Sequence, residues 1–354
     1  MNSLLLVRRC GIVLGLVMAC LFAGHALAQA DEMDTDTAPL RFGVLPLGGA
    51  LESRRDWKPL LDEMAREIGR PVMALSMTSY ESLQDAIQEQ RVDMAFLSGK
   101  LAVDAVAQYG MVVLNQVIRP DGLPGYRSVL IARKEGPVDS LEDVLNQPGR
   151  WSLGRGQMQS MSGYVIPLLQ LFGPHDIAIE RYFRSELVGG HQNLALAVSN
   201  GQVDVATNNT ADLEHFKARF PLEAKRLKIL WESDLIPHGV MVMRETFPAE
   251  LRLQVQQFLQ HYAQGDDDQA AAQRTVLLRL HGLAGFPLAD ARALLPLSQL
   301  DYQLEKLQVL SGRWVSEEAR QAKLARIEAK FEEERRRLTP VMSAKAPPAK
   351  GHIP

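Results

Sequence analysis

Cysteine is nearly absent from this chain of 354 residues, and both of its cysteines, Cys10 and Cys20, lie close to the N-terminus. Without that N-terminal segment the chain can form no disulfide bond, and it has no thiolate for catalysis or for binding a metal. Its stability must then come from a hydrophobic core, which about 320 residues are enough to form.

A strong excess of charge is also lacking, because 39 lysines and arginines face 42 acidic residues and give a net charge of −3. Removal of an N-terminal segment that contains Arg8 and Arg9 changes the net charge to −5. A mildly acidic chain of mixed signs offers no basic surface for nucleic acid or for an anionic membrane. We therefore expect neither as a partner.

The N-terminus carries an apolar run over residues 10–22, which follows two arginines and precedes a small-x-small cleavage motif. This order predicts a secretory signal peptide over residues 1–28, cleaved between Ala28 and Gln29. The run is too short to favour a permanent transmembrane helix. The alternative is a lipoprotein signal that ends at Cys20. Export without cysteine indicates a periplasmic protein.

The chain then alternates between strand and helix patterns. Apolar strands are expected over 40–46, 71–77 and 92–97, with helices over 57–68 and 80–90 between them. Strand and helix in alternation predict a parallel α/β sheet.

A second series of the same kind follows. The phrase AIQEQRVDMA at 86–95 returns as AVSNGQVDVA at 197–206, with Asp93 and Asp204 111 residues apart. Each phrase falls in a helix–turn–strand passage, which predicts two similarly built lobes. The elements expected in the second lobe are a strand over 151–153, a strand over 177–183, a helix over 191–200 and a strand over 203–207.

Two apolar strands, 128–133 and 239–244, are candidates for the crossovers between the lobes. They predict a discontinuous first lobe over 40–131 plus 239–312 and a second lobe over 132–238.

The last part of the chain predicts a helix within 313–340. Leu324, Ile327 and Phe331 form a narrow apolar stripe, with which we expect this helix to dock on the body of the protein; the alternative is a dimerising coiled coil. The tail over 341–354 is rich in proline, lysine and alanine, and we expect it to be disordered.

The stretch GRGQMQSMSGYVIP, residues 154–167, follows a strand and runs into a helical pattern. A glycine-serine turn before a helix leaves backbone N–H groups free, and the helix dipole favours an anion there. Ser160 and Ser162 could donate hydroxyls to such an anion or cap a helix that binds nothing. A cleft between two lobes favours the anion site.

Patterns typical of catalysis are missing. The glycine-rich stretch has no lysine of a P-loop and is no nucleophile elbow, and the eight histidines lack metal-ligand spacing. Ser160 with His191 could imitate a nucleophile and its base, but no local pattern adds an orienting acid. We expect no enzyme activity and no cofactor.

Four passages carry a resemblance to a known family: PGYRSVLI (124–131), SMSGYVIP (160–167), GHQNLALAVSNGQVDVATNNT (190–210) and LKILWESDLIP (227–237). Over nearly the whole mature chain the sequence resembles the phosphonate-type substrate-binding proteins of ABC transporters. The resemblance implies an α/β, type II periplasmic binding protein fold: two lobes joined by two crossover strands, here with a C-terminal helical extension.

In this family the oxygens of a phosphorus ligand sit on the hydroxyls and backbone amides of a Ser-Thr-Ser turn at a helix start, and tyrosines and a histidine complete the site. The resemblance implies that the corresponding residues are Ser160, Met161, Ser162, His191, Tyr80 and Tyr126. Neutral donors of this kind can hold an oxyanion without a lysine or arginine.

The sequence departs from the family pattern at four positions. Met161 replaces a threonine, and Ala211 and Gly239 stand where aminoalkylphosphonate-binding members carry acidic residues. Leu97 stands where the family has an aromatic residue, although Phe96 beside it keeps one ring. These departures suggest an oxyanion without a cationic arm, such as phosphite, phosphate or methylphosphonate.

The expected function is capture of a small phosphorus oxyanion and its delivery to an ABC permease in the inner membrane, by a protein expected to be a monomer. Two alternatives use the same fold: ligand sensing for a membrane signalling partner, and binding of a non-phosphorus anion.

Overall fold

The computed structural model describes residues 38–44, 50–280 and 282–339. The expected signal peptide, the alternative lipid-attachment residue Cys20 and the tail over 341–354 lie outside the described residues. Within the described part, no helix is both long and apolar enough to cross a membrane.

A first sheet is built from β1 (Leu40–Val44), β2 (Val72–Ser76), β3 (Met94–Leu97), β4 (Met111–Gln116) and β10 (Val240–Arg244). Its order is β2-β1-β3-β10-β4. β1 runs parallel to β2 and β3, as the sequence predicts, whereas β10 runs antiparallel to β3 and β4.

A second sheet is built from β5 (Gly125–Arg133), β6 (Ser152–Arg155), β7 (Ser185–Val188), β8 (Val205–Asn209) and β9 (Leu227–Pro237). Its order is β7-β6-β8-β5-β9. β6 is parallel to β7 and β8, and β5 is antiparallel to β8 and β9. Both sheets thus combine parallel strands with a reversed one.

Helices flank both sheets. In the first lobe, which we define by the first sheet, they are α1 (Ala50–Glu67), α2 (Tyr80–Gln88), α3 (Gly99–Ala107), α9 (Ala249–His261) and α10 (Asp268–Arg279). In the second lobe, defined by the second sheet, they are α4 (Leu141–Asn146), α5 (Ile179–Tyr182), α6 (His191–Ser199), α7 (Thr210–Arg219) and α8 (Pro221–Ala224). The α/β class of fold is confirmed.

Alternate residues of the strands face opposite helical layers. In β10, Met241 and Met243 join the apolar cluster on one face of the first sheet, and Val240 and Val242 join the cluster on the other. Because both faces are covered, the strands read as continuous apolar runs rather than as alternating ones.

The repeated aspartates accept equivalent hydrogen bonds in the two lobes. Asp93 Oδ2 accepts the backbone N–H of Arg41 at 2.8 Å, and Asp204 Oδ2 accepts that of Ser152 at 2.8 Å. Each carboxylate lies just before a central strand and holds the neighbouring strand, so the repeated phrase marks an equivalent position in two similarly built units.

The two strands expected as crossovers belong to the sheets themselves. β5 pairs with β8 and β9 in the second sheet, and β10 pairs with β3 and β4 in the first. The chain changes sheet within 117–124 and 238–239, so the expected end of the first lobe at residue 131 moves to before Gly125. A buried antiparallel strand and a crossover strand share the same apolar composition, and the pattern alone does not distinguish them.

The strand expected over 177–183 is also wrong. This segment contains the short helix α5, and the strand that follows is β7, which begins at Ser185. The apolar residues Ile177, Ile179 and Phe183 are buried against the core of the second lobe. β7 lies at the sheet edge with Leu187 and Val188 exposed, which hides its strand pattern.

The C-terminal part adds two long helices, α11 (Leu295–Ser311) and α12 (Glu317–Leu338). On α12, Ile327 and Phe331 are buried and Leu324 is half-buried. The ring of Phe331 stacks on Tyr302 of α11, with the ring centroids 4.5 Å apart. The predicted apolar stripe therefore lies in the contact between the two helices.

Candidate anion-binding site

The stretch from Gly154 to Pro167 forms a tight turn and a wide helical segment. Ser160 caps this segment, since its Oγ accepts the N–H of Gly163 at 3.1 Å. The segment, Met161–Val165, is a π-helical turn in which Val165 N–H donates to Ser160 O. A Cβ on Gly163 would lie 2.7 Å from the Cα of Gly156, so the loop crosses the helix start only because both residues are glycine.

Ser162 lies at the centre of a buried hydrogen-bond network. Its Oγ is 3.1 Å from His191 Nε2 and accepts a hydrogen bond from Asn209 Nδ2 at 3.2 Å. Its backbone carbonyl accepts from the Ser128 hydroxyl at 2.7 Å. Strand β5, the end of β8 and the start of α6 thus fix this residue from three sides.

The site itself is a cavity of about 50 Å³. It is lined by all six residues that the resemblance implies: Tyr80, Tyr126, Ser160, Met161, Ser162 and His191. A water needs about 10–15 Å³ of such volume, so the cavity has room for a few waters or one small anion, not for a large ligand.

Five helical segments of the described chain begin at this cavity. Their first or capping residues all line it, and they are Tyr80 of α2, Ser98 before α3, Ser160 before the π-helical turn, His191 of α6 and Asn209 before α7. The start of a helix carries unpaired N–H groups and the positive end of the dipole. No side chain caps α3 or α6. The cavity is therefore favourable for negative charge.

Both tyrosines of the site remain neutral donors at neutral pH. Burial raises the pKa of Tyr126 to about 12, with a further contribution from the negative charge of Asp212, and the nearby Ser162 hydroxyl opposes part of this rise in pKa. Burial likewise raises the pKa of Tyr80, against the smaller opposing effect of the Ser160 hydroxyl. The Tyr126 ring stacks on His238, with 6.0 Å between the ring centroids.

Residues from the two lobes meet across the cavity. The backbone N–H of Tyr80 in the first lobe donates to Gln157 Oε1 of the second at 3.2 Å. Met161 lies against Gly99 at the start of α3, where an added Cβ would come within 2.5 Å of Met161 Cγ. Met161 thus packs across the interlobe contact, while its backbone stays in the anion turn.

The cavity also contains charged residues that the sequence reasoning missed. Arg119 and Asp212 both line it, as do His238 and Phe96. The cavity therefore contains an arginine and a carboxylate in addition to the neutral donors expected from the sequence. One signal was present for Asp212: it is the third residue after Asn209, and an Asn–x–x–Asp pattern at a helix start places the acid in the first turn. No comparable motif marks Arg119.

Gly239 and Ala211, two positions at which the sequence departs from the family pattern, lie in different places in the structure. Gly239 lines the cavity, and a Cβ there would lie 2.6 Å from Phe96 Cε2 and 2.7 Å from the carbonyl oxygen of Leu97. Ala211 instead lines a separate groove of about 780 Å³ that shares Arg119 and Tyr126 with the cavity wall. Among the described residues no cluster of three His, Cys, Asp or Glu side chains could hold a metal.

Comparisons with known proteins identify chains of similar sequence and fold. The model of the family described as "ABC transporter, phosphonate, periplasmic substrate-binding protein" matches residues 42–294. The phosphonates-binding periplasmic protein of Escherichia coli K12 is 29% identical over 322 residues, which cover 91% of this chain and 93% of the relative.

Solved structures show the same fold. A binding protein component of an ABC phosphonate transporter from Pseudomonas aeruginosa has 30% identity and a TM-score of 0.77, with 85% of this chain and 98% of the other covered. A Prochlorococcus marinus protein in complex with methylphosphonate has 15% identity and a TM-score of 0.64, with 75% and 97% covered. At that identity the second likeness concerns the fold alone.

Proposed function

The chain belongs to the family of phosphonate periplasmic substrate-binding proteins of ABC transporters, and from this premise we propose that it captures a small phosphorus oxyanion and delivers it to a membrane permease. The observation that carries the proposal is the convergence of five helix starts and five hydroxyl side chains on one small cavity. Names of relatives support it, because one is called phosphonates-binding and another, from Mycolicibacterium smegmatis, a phosphate-import protein.

Each of the six implied residues has a distinct role in this proposal. The hydroxyls of Ser160, Ser162, Tyr80 and Tyr126 donate to the anion's oxygens, and His191 completes the set by donating its Nε2–H to Ser162 Oγ, which leaves the Ser162 proton for the anion. Met161 contributes only its backbone N–H. Hydrogen bonds to a charged acceptor contribute about 1.5–3 kcal/mol each, so several of them hold a tetrahedral anion firmly.

Binding is coupled to closure of the lobes. Tyr80 and Ser98 come from the first lobe, whereas Ser160, Ser162 and His191 come from the second, so the complete site exists only when the lobes are together. A ligand stabilises the closed form by as much as it binds that form better than the open one. The permease then receives a closed, loaded protein.

The family places the protein in the periplasm. We also propose that residues 1–28 are removed by cleavage after Ala28 and that the protein is a monomer.

The pair Ser162–His191 has the spacing of a nucleophile and base, but the proposal assigns both groups to ligand binding. Incubation with methylphosphonate or a phosphoester should therefore release no phosphate, and measurable turnover would contradict this part.

The function is tested by calorimetry on protein stripped of bound ligand by unfolding and refolding. Phosphite, phosphate, methylphosphonate and sulfate are titrated separately into the same preparation. We expect at least one of the three phosphorus anions to bind with one-to-one stoichiometry and at least about tenfold more tightly than sulfate. Binding of sulfate alone, or of none of the four, would overturn the proposal.

A further inference from the structure

The anion cavity contains one carboxylate from the described residues, Asp212 of α7. Two hydrogen bonds with Asn209 hold Asp212 in place. Asn209 Nδ2 donates to Asp212 Oδ2 at 2.8 Å, and Asn209 Oδ1 accepts the Asp212 N–H at 2.8 Å. The same Asn209 amide donates to Ser162 Oγ. The carboxylate therefore belongs to the network that builds the anion turn.

A carboxylate in an anion site repels the ligand unless a cation balances it. The balancing group is Arg119, which lies in the segment 117–124 between the sheets and lines the same small cavity. Burial lowers the pKa of Arg119, and attraction to Asp212 is the largest of the effects that oppose it. The guanidinium stays charged, and it lines the same small cavity as the Asp212 carboxylate.

A further acidic side chain has no room at Gly239, which also lines the cavity. Gly239 is packed so closely against the Phe96 ring and the Leu97 carbonyl that a longer side chain would collide with them. Ala211 faces the neighbouring groove instead of the cavity. Within the described residues, the site thus offers one acid, and its charge is matched by the protein's own arginine.

We propose that Arg119 takes the place that a ligand's ammonium group would need beside Asp212, so that the protein selects phosphorus oxyanions without a cationic substituent. This inference rests on the proposed function and names the substrate class of the same site. An ammonium group next to Arg119 meets a like charge, and the carboxylate it needs is already engaged. An uncharged substituent meets neither penalty.

The test compares two ligands of the same size and different charge, ethylphosphonate and aminomethylphosphonate, by calorimetry at pH 7. We expect the wild-type protein to bind ethylphosphonate at least tenfold more tightly. In Arg119→Met, which keeps the bulk and removes the charge, the ratio should fall at least tenfold because Asp212 becomes available to the ammonium. Arg119→Lys should keep the wild-type preference, and Arg119→Met with Asp212→Asn should lose the gain for aminomethylphosphonate.

Methylphosphonate serves as the reference ligand for every variant, with circular dichroism as the check of folding. Equal affinities of the wild type for the two ligands, loss of both while methylphosphonate still binds, or an unchanged ratio in Arg119→Met would each contradict the inference alone. Failure of the wild type to bind methylphosphonate, phosphite or phosphate would instead contradict the proposed function.

Discussion

Ser162 is the residue on which the hydrogen bonds of the site meet. Asn209 donates to its hydroxyl and His191 Nε2 lies within hydrogen-bond distance, so the hydroxyl is oriented before any ligand arrives. Ser160 is different, because its Oγ already accepts the N–H of Gly163. Its hydroxyl proton remains available for donation to an anion. Both serines can therefore donate while keeping the bonds that hold the turn.

Replacement of Ser160 and Ser162 together by alanine should raise the dissociation constant for methylphosphonate at least about tenfold, since each lost charge-assisted hydrogen bond contributes about 1.5–3 kcal/mol. Calorimetry measures the affinity, and circular dichroism checks the fold. The matched control is Ser199→Ala, which removes another buried hydroxyl, one that bonds to Leu196 O within α6. Unchanged affinity in the double variant would exclude the turn as the anion site.

Tyr126 gives a pH-dependent prediction. The unfolded chain ionises tyrosine near pH 10, whereas burial raises the pKa of Tyr126 in the folded protein to about 12. Between these values the folded state holds the additional proton, so the free energy of unfolding decreases as pH rises. In Tyr126→Phe the free energy of unfolding should fall less steeply with pH, by the equivalent of up to about one bound proton. Urea unfolding at several pH values from 9 to 12 measures this slope. Identical slopes would contradict the assignment.

At this scale the sequence identified the six residues of the turn and its surroundings but neither Arg119 nor Asp212. Five of the six lie at or within the first turn of a helical segment and Tyr126 lies in β5, and all six were identified through motifs shared with the family. Arg119 reaches the cavity only because the chain crosses between sheets at 117–124. That approach depends on the packing of the whole molecule, which no local pattern records.

At the scale of elements, α3 connects the site to the C-terminal helices. Its N-terminus faces the cavity through Ser98, and its Lys100 Nζ donates to Asp104 and to Asp301 of α11, both at 3.1 Å. Asp104 and Asp301 are buried. The ion pair between Lys100 of α3 and Asp301 of α11 therefore holds the helix that presents its start to the ligand.

Lys100→Met should destabilise the protein by about 3 kcal/mol, because it leaves the buried Asp104 carboxylate without its counter-charge and leaves Asp301 with Lys330 alone, at 3.8 Å. Adding Asp301→Leu should recover part of this loss. The control is Lys58→Met, whose pair with Asp62 is exposed and should contribute about 1 kcal/mol or less. Chemical denaturation measures all three variants. Equal effects of Lys58→Met and Lys100→Met would show that the buried pairs do not stabilise this contact.

The sequence predicted the helices α1, α2, α6 and α12, but it did not single out α3 or α11. The ion pairs were not predicted either, since Lys100 and Asp301 are separated by 201 residues. A local pattern identifies a helix and its apolar face, but not which charged residue of a distant helix meets it.

For the whole molecule, the closed arrangement has its own contacts outside the cavity. Glu52 of α1 in the first lobe forms an ion pair with Arg219 of α7 in the second. Neither residue of this pair lines the cavity, whereas the bond between Tyr80 and Gln157 joins the lobes beside it. We expect such contacts to stabilise the closed form and to slow the release of the ligand.

Arg219→Gln should therefore weaken anion binding by about two- to fivefold, the effect of a partly exposed pair of up to about 1 kcal/mol. Most of the change should appear as faster dissociation, measured by stopped-flow fluorescence. Lys217→Gln on the same helix is the control, because Lys217 pairs with Glu214 within α7 and joins no second lobe. A larger effect of Lys217→Gln than of Arg219→Gln would argue against the interlobe role.

The two-lobe architecture could be predicted because the repeated aspartate phrase has the same structural task in each lobe. The boundary at residue 131 could not, because β5 has the composition expected of either a crossover or a buried strand. Its membership of the second sheet depends on pairing with β9, a partner about a hundred residues away.

The central claim is that a phosphorus oxyanion binds where the helix starts converge, and a crystal structure of the protein grown with methylphosphonate tests it most directly. We expect the phosphonate oxygens to lie within about 3 Å of the hydroxyl oxygens of Ser160 and Ser162, which is the distance of an ordinary hydrogen bond. A methylphosphonate bound elsewhere, such as in the neighbouring groove lined by Leu123, Leu235 and Leu278, with the cavity holding only water, would contradict it.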